Sequence, residues 1–440
     1  MWIRIFFLFF SLLSLIYGKA GDFDKHFGVG QTGMVMTDVG SLSTDIASSI
    51  AIRESGRIIV AGSSYDGKKD SFAMVGYQPD GTLDLDFGFG GKVITSDEIK
   101  ANAYIAGIVL ENEGSIVAVG TADYNPGLYL TLAKYNSDGS LDKSFGGKGI
   151  FIEALLPGHE TATGVAVQAD GKIVATGYTE VDESGNNEIF LARYSDTGSL
   201  DADFNVDGLV RTSIGVSCNA NSVAIQKNDG KIVVAGSLSY GGRDVFLLLR
   251  YETNGTLDKT FGSGAGYVWT QIDSYKDIGT AVAIQDDGKI VVAGKSRNSE
   301  GNYDITLVRY ERDGGLDTGF GRDGIVTTGI YSGDDEANAV MIQKNGKIVV
   351  SGYSVLDNKM RFVIVRYNSD GSHDTGFGDN GGYVLAYQDK GDSEATGVAI
   401  QKDGKIVAAG YATTGDTDFA IVRLLGDSVI MPPVYYLLLQ

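Results

Sequence analysis

The feature that most constrains this chain is a repeat: one unit of roughly 58 residues recurs seven times. A short unit that cannot bury its own apolar faces has to stack on copies of itself, so this period decides the architecture before any local feature does. Three landmarks share the period. The first is a glycine-bounded apolar run, Ile58-Ile-Val-Ala-Gly62 in the first copy and Ile406-Val-Ala-Ala-Gly410 in the last. Its closing glycines are 58, 57, 59, 58, 58 and 58 residues apart. The second is Asp-x-x-Phe-Gly, with its aromatic ring at Phe27, Phe87, Phe145, Phe204, Phe261, Phe320 and Phe377. The third is an apolar strand ending at Tyr77, Tyr135, Tyr194, Tyr251, Tyr310, Tyr367 and Leu424, usually with Lys or Arg just before. The copies fill residues 21–426 and leave no room for a second domain.

Each copy reads as four short strands. In one of them these are Gly324-Ile-Val-Thr-Thr328, Ala337-Asn-Ala-Val-Met-Ile-Gln343, Lys347-Ile-Val-Val-Ser-Gly352 and Arg361-Phe-Val-Ile-Val-Arg-Tyr367. They are rich in Val and Ile, carry no helical period and are separated by turn residues. Asp-Gly or Asn-Gly closes the hairpin between the second and third, as at Asp170-Gly171, Asp287-Gly288 and Asn345-Gly346, a dipeptide that accepts the positive φ of a primed turn. The third and fourth strands are apolar on both faces, as in a sheet sandwiched between two others. Four-stranded units stacked face to face around an axis make an all-β, seven-bladed β-propeller of antiparallel blades. A β-solenoid would need end caps, and neither end supplies one. The ends instead complement each other. The chain after residue 20 opens with Asp22-Phe-Asp-Lys-His-Phe27-Gly28, the segment that elsewhere follows the Tyr strand, and the last copy stops at Leu424 without it. Circular closure by the N-terminal segment restores the missing piece.

Residues 1–20 have the three-part pattern of a secretory signal peptide: Arg4, an apolar stretch from Ile5 to Ile16, and Gly18-Lys19-Ala20 before a cut at Gly21. The stretch is too short to span a bilayer comfortably, so the mature chain is expected to have no membrane span and to be secreted, periplasmic or on the cell surface. Acidic residues outnumber basic ones 56 to 36, for a net charge of −20. That balance argues against nucleic acid, whose phosphates recruit Lys and Arg. A single cysteine, Cys218, excludes an intrachain disulfide, and it is read as a buried small residue in a loop before a strand. Residues 427–440 lie outside the repeat and are strongly apolar; they fit packing on the ring, binding a partner, or sorting.

Arg-Tyr-x-x-x-Gly-x-Leu-Asp-x-x-Phe-Gly followed by Lys-Ile-Val-Val-Ala-Gly resembles the delta-60 repeat of bacterial surface and secreted proteins, over the whole chain after residue 20. The resemblance implies a bacterial β-propeller and no established activity. Asn205 in place of Gly, His373 in place of Leu and Leu424 in place of Tyr are local departures from it.

No catalytic constellation is legible. His26, His159 and His373 fall at unrelated places in their copies, and neither a nucleophile elbow nor a phosphate-cradling loop occurs. The turn Asn136-Ser-Asp138-Gly139-Ser-Leu-Asp142 resembles a calcium loop but lacks its third acidic position and terminal Glu, so capping of the turn is the first reading and calcium the second. No other cofactor is indicated. The seven Phe side chains are expected as anchors between blades.

Comparing the copies separates two faces. Connections alternate between the faces of the ring, so the near-identical Asp-Gly hairpins and Asp-x-x-Phe-Gly connections share one, and the connections that differ between copies share the other. The second face carries Tyr65, Asp66, Tyr124, Tyr240, Arg243, Tyr275, Tyr303, Asp304 and Asp334. Tyr with Asp, Asn and Gly is the composition of adaptable recognition loops, although free drift of exposed loops gives variation too. The expected protein is a monomeric, noncatalytic binding or scaffold module for a protein or glycan. Two alternatives stay open: a hydrolase or lyase with a divalent cation at the ring centre, marked by inward carboxylates, and a purely structural surface protein.

Overall fold

The structure, a computed structural model, describes residues 18–40, 43–111, 114–125, 127–156, 158–182, 184–272, 276–379 and 381–427. Most of the expected signal peptide and of the apolar tail therefore lies outside the described residues, as does Tyr275. Seven four-stranded antiparallel sheets are present, each in sequence order from inner to outer strand except the last. Blade 1 comprises Thr44–Ile52, Ile58–Tyr65, Asp70–Tyr77 and Lys92–Thr95. The inner strands of blades 2 to 7 are Asn102–Leu110, Glu160–Val167, Ser217–Ile225, Asp277–Ile284, Asp335–Ile342 and Ser393–Ile400. These first strands pack on one another around the ring, which makes them the inner ones. The second and third strands of each blade are buried along nearly their whole length, as sheets covered on both faces must be.

Every inner strand carries a bulge at one place, leaving Ser48, Ala106, Thr163, Asn221, Thr280, Asn338 and Thr396 outside the pairing. Six of these side chains donate to a backbone carbonyl of the next blade. The contacts run Ser48 Oγ to Ile105 O (2.5 Å), Thr163 Oγ1 to Ala220 O (2.9 Å), Asn221 Nδ2 to Gly279 O (2.7 Å), Thr280 Oγ1 to Ala337 O (2.5 Å), Asn338 Nδ2 to Ala395 O (2.9 Å) and Thr396 Oγ1 to Ala47 O (2.8 Å). Ala106 has no donor, so the belt is broken between blades 2 and 3.

A second belt runs through the repetitive face. Each Phe of Asp-x-x-Phe-Gly is at most 1% exposed. It lies under the turn glycine of the following blade, where a Cβ on Gly314 would stand 2.9 Å from the Phe261 ring. That glycine also has φ +92°, so both conformation and space exclude a side chain. The other side of the ring is covered by the basic residue preceding the Tyr. Arg250 stands 4.5 Å from the Phe261 centroid, bonds Asp258 Oδ2 through Nε at 2.6 Å and donates to Arg312 O of the next blade. Arg193, Arg309, Arg366 and Arg423 repeat the stacking and the carboxylate contact. In blade 1 the position is Gly76, and Arg53 from the neighbouring hairpin takes over, 5.8 Å from the Phe87 centroid.

Closure is by an exchanged strand. Met34–Thr37 pairs with Thr417–Leu424 as the outer strand of blade 7. Gly21 N bonds Leu425 O and Leu425 N bonds Asp22 O, both at 2.9 Å, and a Cβ on Gly21 would meet the Phe377 ring, so Gly21 is the seventh turn glycine. Gly378 N, whose counterparts bond the next blade's turn, bonds Ala20 O at 3.0 Å.

Three readings are corrected. The repeat drawn from the sequence and the blade are one strand out of phase: Ile325–Thr328 is the outer strand of blade 5, and blade 6 is completed by Tyr383–Ala386. The second strand runs past its glycine to Leu356 and the third begins at Lys359, so this hairpin is tighter than the apolar runs alone imply. Cys218 is buried as expected but lies within an inner strand, its Sγ 3.4 Å from Thr212 O.

Candidate functional site

The hairpins between second and third strands, and the links from outer to next inner strand, share the face opposite the phenylalanine belt. Tyr65, Tyr124, Tyr240 and Arg243 sit at hairpin ends of blades 1, 2 and 4. Tyr65, Asp66, Tyr240 and Arg243 are exposed, and Tyr124 is half-buried. Asp66 spends its carboxylate on its own turn, accepting from the backbone N–H of Lys68 and Lys69. Tyr303 and Asp334 meet, Tyr303 N donating to Asp334 Oδ1 at 2.9 Å and so tying a blade 5 hairpin to the link before blade 6. Asp304 accepts from Asn298 Nδ2 at 2.9 Å, and burial raises its pKa. These residues therefore share a face but are spread around the ring; among the described ones, Tyr303 is tied to Asp334 across two blades and Tyr240 pairs with Arg243 across its own hairpin.

Sequence reasoning missed Trp269. It lies in the outer strand of blade 4, 43% exposed, and stacks on Tyr240 (55% exposed) with ring centroids 5.2 Å apart and planes 30° apart. Alternation in Tyr267-Val-Trp-Thr270 was the signal, because the neighbouring Thr270 is buried and points the opposite way. The pair is an apolar platform with Arg243 on the same hairpin.

Reasoning also missed a row of buried side chains at the start of the inner strands. Asp45, Glu160, Asp277 and Asp335 are each at most 1% exposed. Their carboxylates accept backbone N–H groups of the preceding link: Val39 to Asp45 (2.6 Å), Leu156 to Glu160 (2.5 Å), Ile272 to Asp277 (2.8 Å) and Ile330 to Asp335 (2.7 Å). Burial pushes Asp335 up to about 6 and raises Glu160. These acids tie Val39, Leu156, Ile272 and Ile330 of the links to the start of the next inner strand.

One residue further along, the inner strands carry Ile46, Tyr104, Thr161, Asn219, Ile278, Glu336 and Glu394. Two carboxylates in seven do not make the ring of acids that a central cation would need. Both are already engaged: Glu336 Oε2 with Lys295 (2.6 Å) and Tyr353 (3.0 Å), and Glu394 with Tyr411 (2.7 Å) and Asn338 (2.7 Å). In the turn weighed as a calcium loop, Asp138 Oδ1 accepts from Ser140 N at 2.9 Å and Ser140 Oγ at 2.6 Å, and Asp142 Oδ1 accepts the same pair of groups from Ser144. That is the geometry of a capped turn.

No helix among the described residues is long and apolar enough to cross a membrane. No curated protein matches the sequence. Among solved structures, Sqt1 from Chaetomium thermophilum is similar at 12% identity, over 88% of this chain and 99% of that one, with a TM-score of 0.47. Polysaccharide lyase Uly1 is similar at 9% identity, over 94% of this chain and 98% of that one, with a TM-score of 0.48. Likeness at this level carries no argument about activity. A family match does fall on the repeat, at residues 54–87, 113–145, 168–204, 227–261, 285–320, 343–377 and 401–430, each segment but the last ending at the Phe of the belt. With its defining segment present in all seven turns of the ring, the chain belongs to the beta-propeller family described as Domain of unknown function (DUF5122).

Proposed function

We propose that the protein is an exported, noncatalytic binding or scaffold module that holds a protein or glycan ligand on the loop face of its ring. The observation that carries this reading is the stacked Tyr240–Trp269 pair, two large rings left open to solvent on the face whose loops differ from blade to blade. Flat aromatic surface beside polar groups contributes contact area at low entropic cost. The engaged, sparse carboxylates at the inner strands speak for binding over a hydrolase or lyase with a central cation. The amino-terminal signal pattern and the resemblance to delta-60 repeats support export from a bacterial cell. A monomer fits, since one chain closes the ring on itself through the exchanged strand.

The test is a glycan-array and pull-down screen of the mature ring against Tyr240→Ala and Trp269→Ala. Loss of either ring is expected to weaken the captured ligand about tenfold, the usual scale for an aromatic anchor. A ligand indifferent to both changes but weakened by Lys402→Ala, on the repetitive face, would place recognition on the wrong side of the ring for this reading. A screen with no ligand at all would favour the purely structural protein.

A further inference from the structure

At the seam where the ring closes, Asp38, Asp45 and Asp418 each place a carboxylate oxygen within 4.8 Å of the others. They come from three segments. Asp38 follows the exchanged strand Met34–Thr37, Asp45 opens the inner strand of blade 1, and Asp418 lies on the third strand of blade 7. The repeat supplies an internal control, since register gives the equivalent three positions at every junction between blades. The junction of blades 5 and 6 has Asp304, Gly329 and Asp335 there, and no other junction exceeds two acids. Three acids occur at the seam alone.

Asp418 is 9% exposed, and its Oδ1 has no hydrogen-bond partner. Asp45 is fully buried, held by Val39 N at 2.6 Å and Ser43 Oγ at 2.7 Å, as the outer contacts of a metal-binding carboxylate would hold it. Among the described residues Asp416 and the ammonium of Lys92, whose Nζ donates to Asp38 O at 2.5 Å, also face the cluster. Gathered oxygen ligands without nitrogen or sulfur suit a hard cation, and oxygens on one calcium, at about 2.3–2.6 Å each, stand up to about 5 Å apart.

We propose that Asp38, Asp45 and Asp418 bind one Ca²⁺ ion that clasps the exchanged strand to blades 7 and 1. The site is separate from the loop-face reading and does not depend on it. The experiment is a thermal melt of the mature ring in excess chelator and in millimolar Ca²⁺, with Tb³⁺ luminescence as the binding readout. Wild type is expected to melt higher in Ca²⁺ and to take up one Tb³⁺ that Ca²⁺ displaces. Asp418→Asn removes the charge conflict as well as the ligand, so it is expected to melt above wild type in chelator and to lose the response to Ca²⁺. Asp38→Asn, outside the strands, covers the case in which the first variant misfolds, and should weaken Ca²⁺ by about tenfold, since affinity follows the number of charged ligands. A wild-type melt unmoved by Ca²⁺ overturns the proposal, as does a Ca²⁺ response that both variants retain.

Discussion

Phe261 condenses the physics of the repetitive face into one side chain. It is fully buried, roofed by Gly314 of the next blade and floored by the Arg250 guanidinium. Phe261→Ala therefore leaves a cavity shared by two blades and is expected to cost about 3–5 kcal/mol in chemical denaturation; Phe320→Ala should match it. The seven rings were legible because a repeated aromatic in a repeated turn has few other uses. The arginine was visible as a residue but not as a partner, because it reaches Asp258 across a connection whose course no local pattern reveals. The stand-in at Gly76 shows the same limit, since Arg53 belongs to a different hairpin. The bulge belt gives a complementary prediction: Ala106→Ser adds the missing donor opposite Ala162 and should stabilise the ring by about 0.5–1.5 kcal/mol. A variant no more stable than wild type would mean that the inner strands do not close the gap. Buried acids add a pH term of opposite sign to that of the arginine partners. Asp335 keeps its proton better folded than unfolded, so the native state loses stability as pH rises from 3.8 towards about 6. Although burial pulls the other way, hydrogen bonds from Lys231 and Thr260 hold Asp258 below its ordinary value, so its contribution is lost only as pH falls below 3.8. Asp335→Asn should flatten the first slope and leave the second.

At the scale of the element, the exchanged strand and the residues after the last one finish what the final copy lacks. In other blades the arginine reaches a turn carbonyl of the next blade, but after Arg366 that turn is split between the chain ends at Gly21 and Leu425, and the carbonyl is not the partner. Asp427 replaces it, 2.7 Å from Arg366 and 3.2 Å from Lys347. Removing residues 428–440 is therefore expected to leave the melting temperature unchanged, whereas removing 427 as well should destabilise by up to about 1 kcal/mol, the scale of a partly exposed ion pair. Equal melting temperatures for the two truncations would show that Asp427 contributes nothing. The missing segment at Leu424 was readable by comparing copies. That it is supplied as a whole strand was not, because Met34-Val-Met-Thr37 is only four residues of ordinary β character until Ile421 and Val422 stand beside it. The loop face was readable only as variation, which says where copies differ without saying which side chains meet. Trp269 and the buried acids show the difference, since both follow from alternation once the inner and outer ends of each strand are known.

For the whole molecule, strand exchange decides where the ring can open. The chain break lies inside blade 7, bridged by the ladder from Met34–Thr37 to the third strand, while the link from Asp38 to Asp45 keeps blade 7 joined to blade 1. A circular permutant that begins at Ser43 and carries residues 18–40 behind Asp427 makes all seven blades continuous and moves the break between two blades. The two ends it joins already run side by side at Gly21 and Leu425, so the ring should form. Its seam would then rest on packing between blade faces and on a few crossing bonds, such as Thr396 to Ala47 (2.8 Å) and Gly28 N to Asp80 O (2.7 Å). In a ring of like units each blade contacts only its neighbours, so a seam without a covalent link is where opening begins. Losing that tether also adds the entropic cost of bringing the ends together, which grows slowly with length and is largest when the whole ring has to close. The permutant is expected to keep the same circular dichroism spectrum, to melt lower, and to exchange amide hydrogens first in blades 1 and 7. If it instead melts with wild type and exchanges uniformly, packing between blade faces alone is enough to close the ring, and the exchanged strand completes a sheet without acting as a latch.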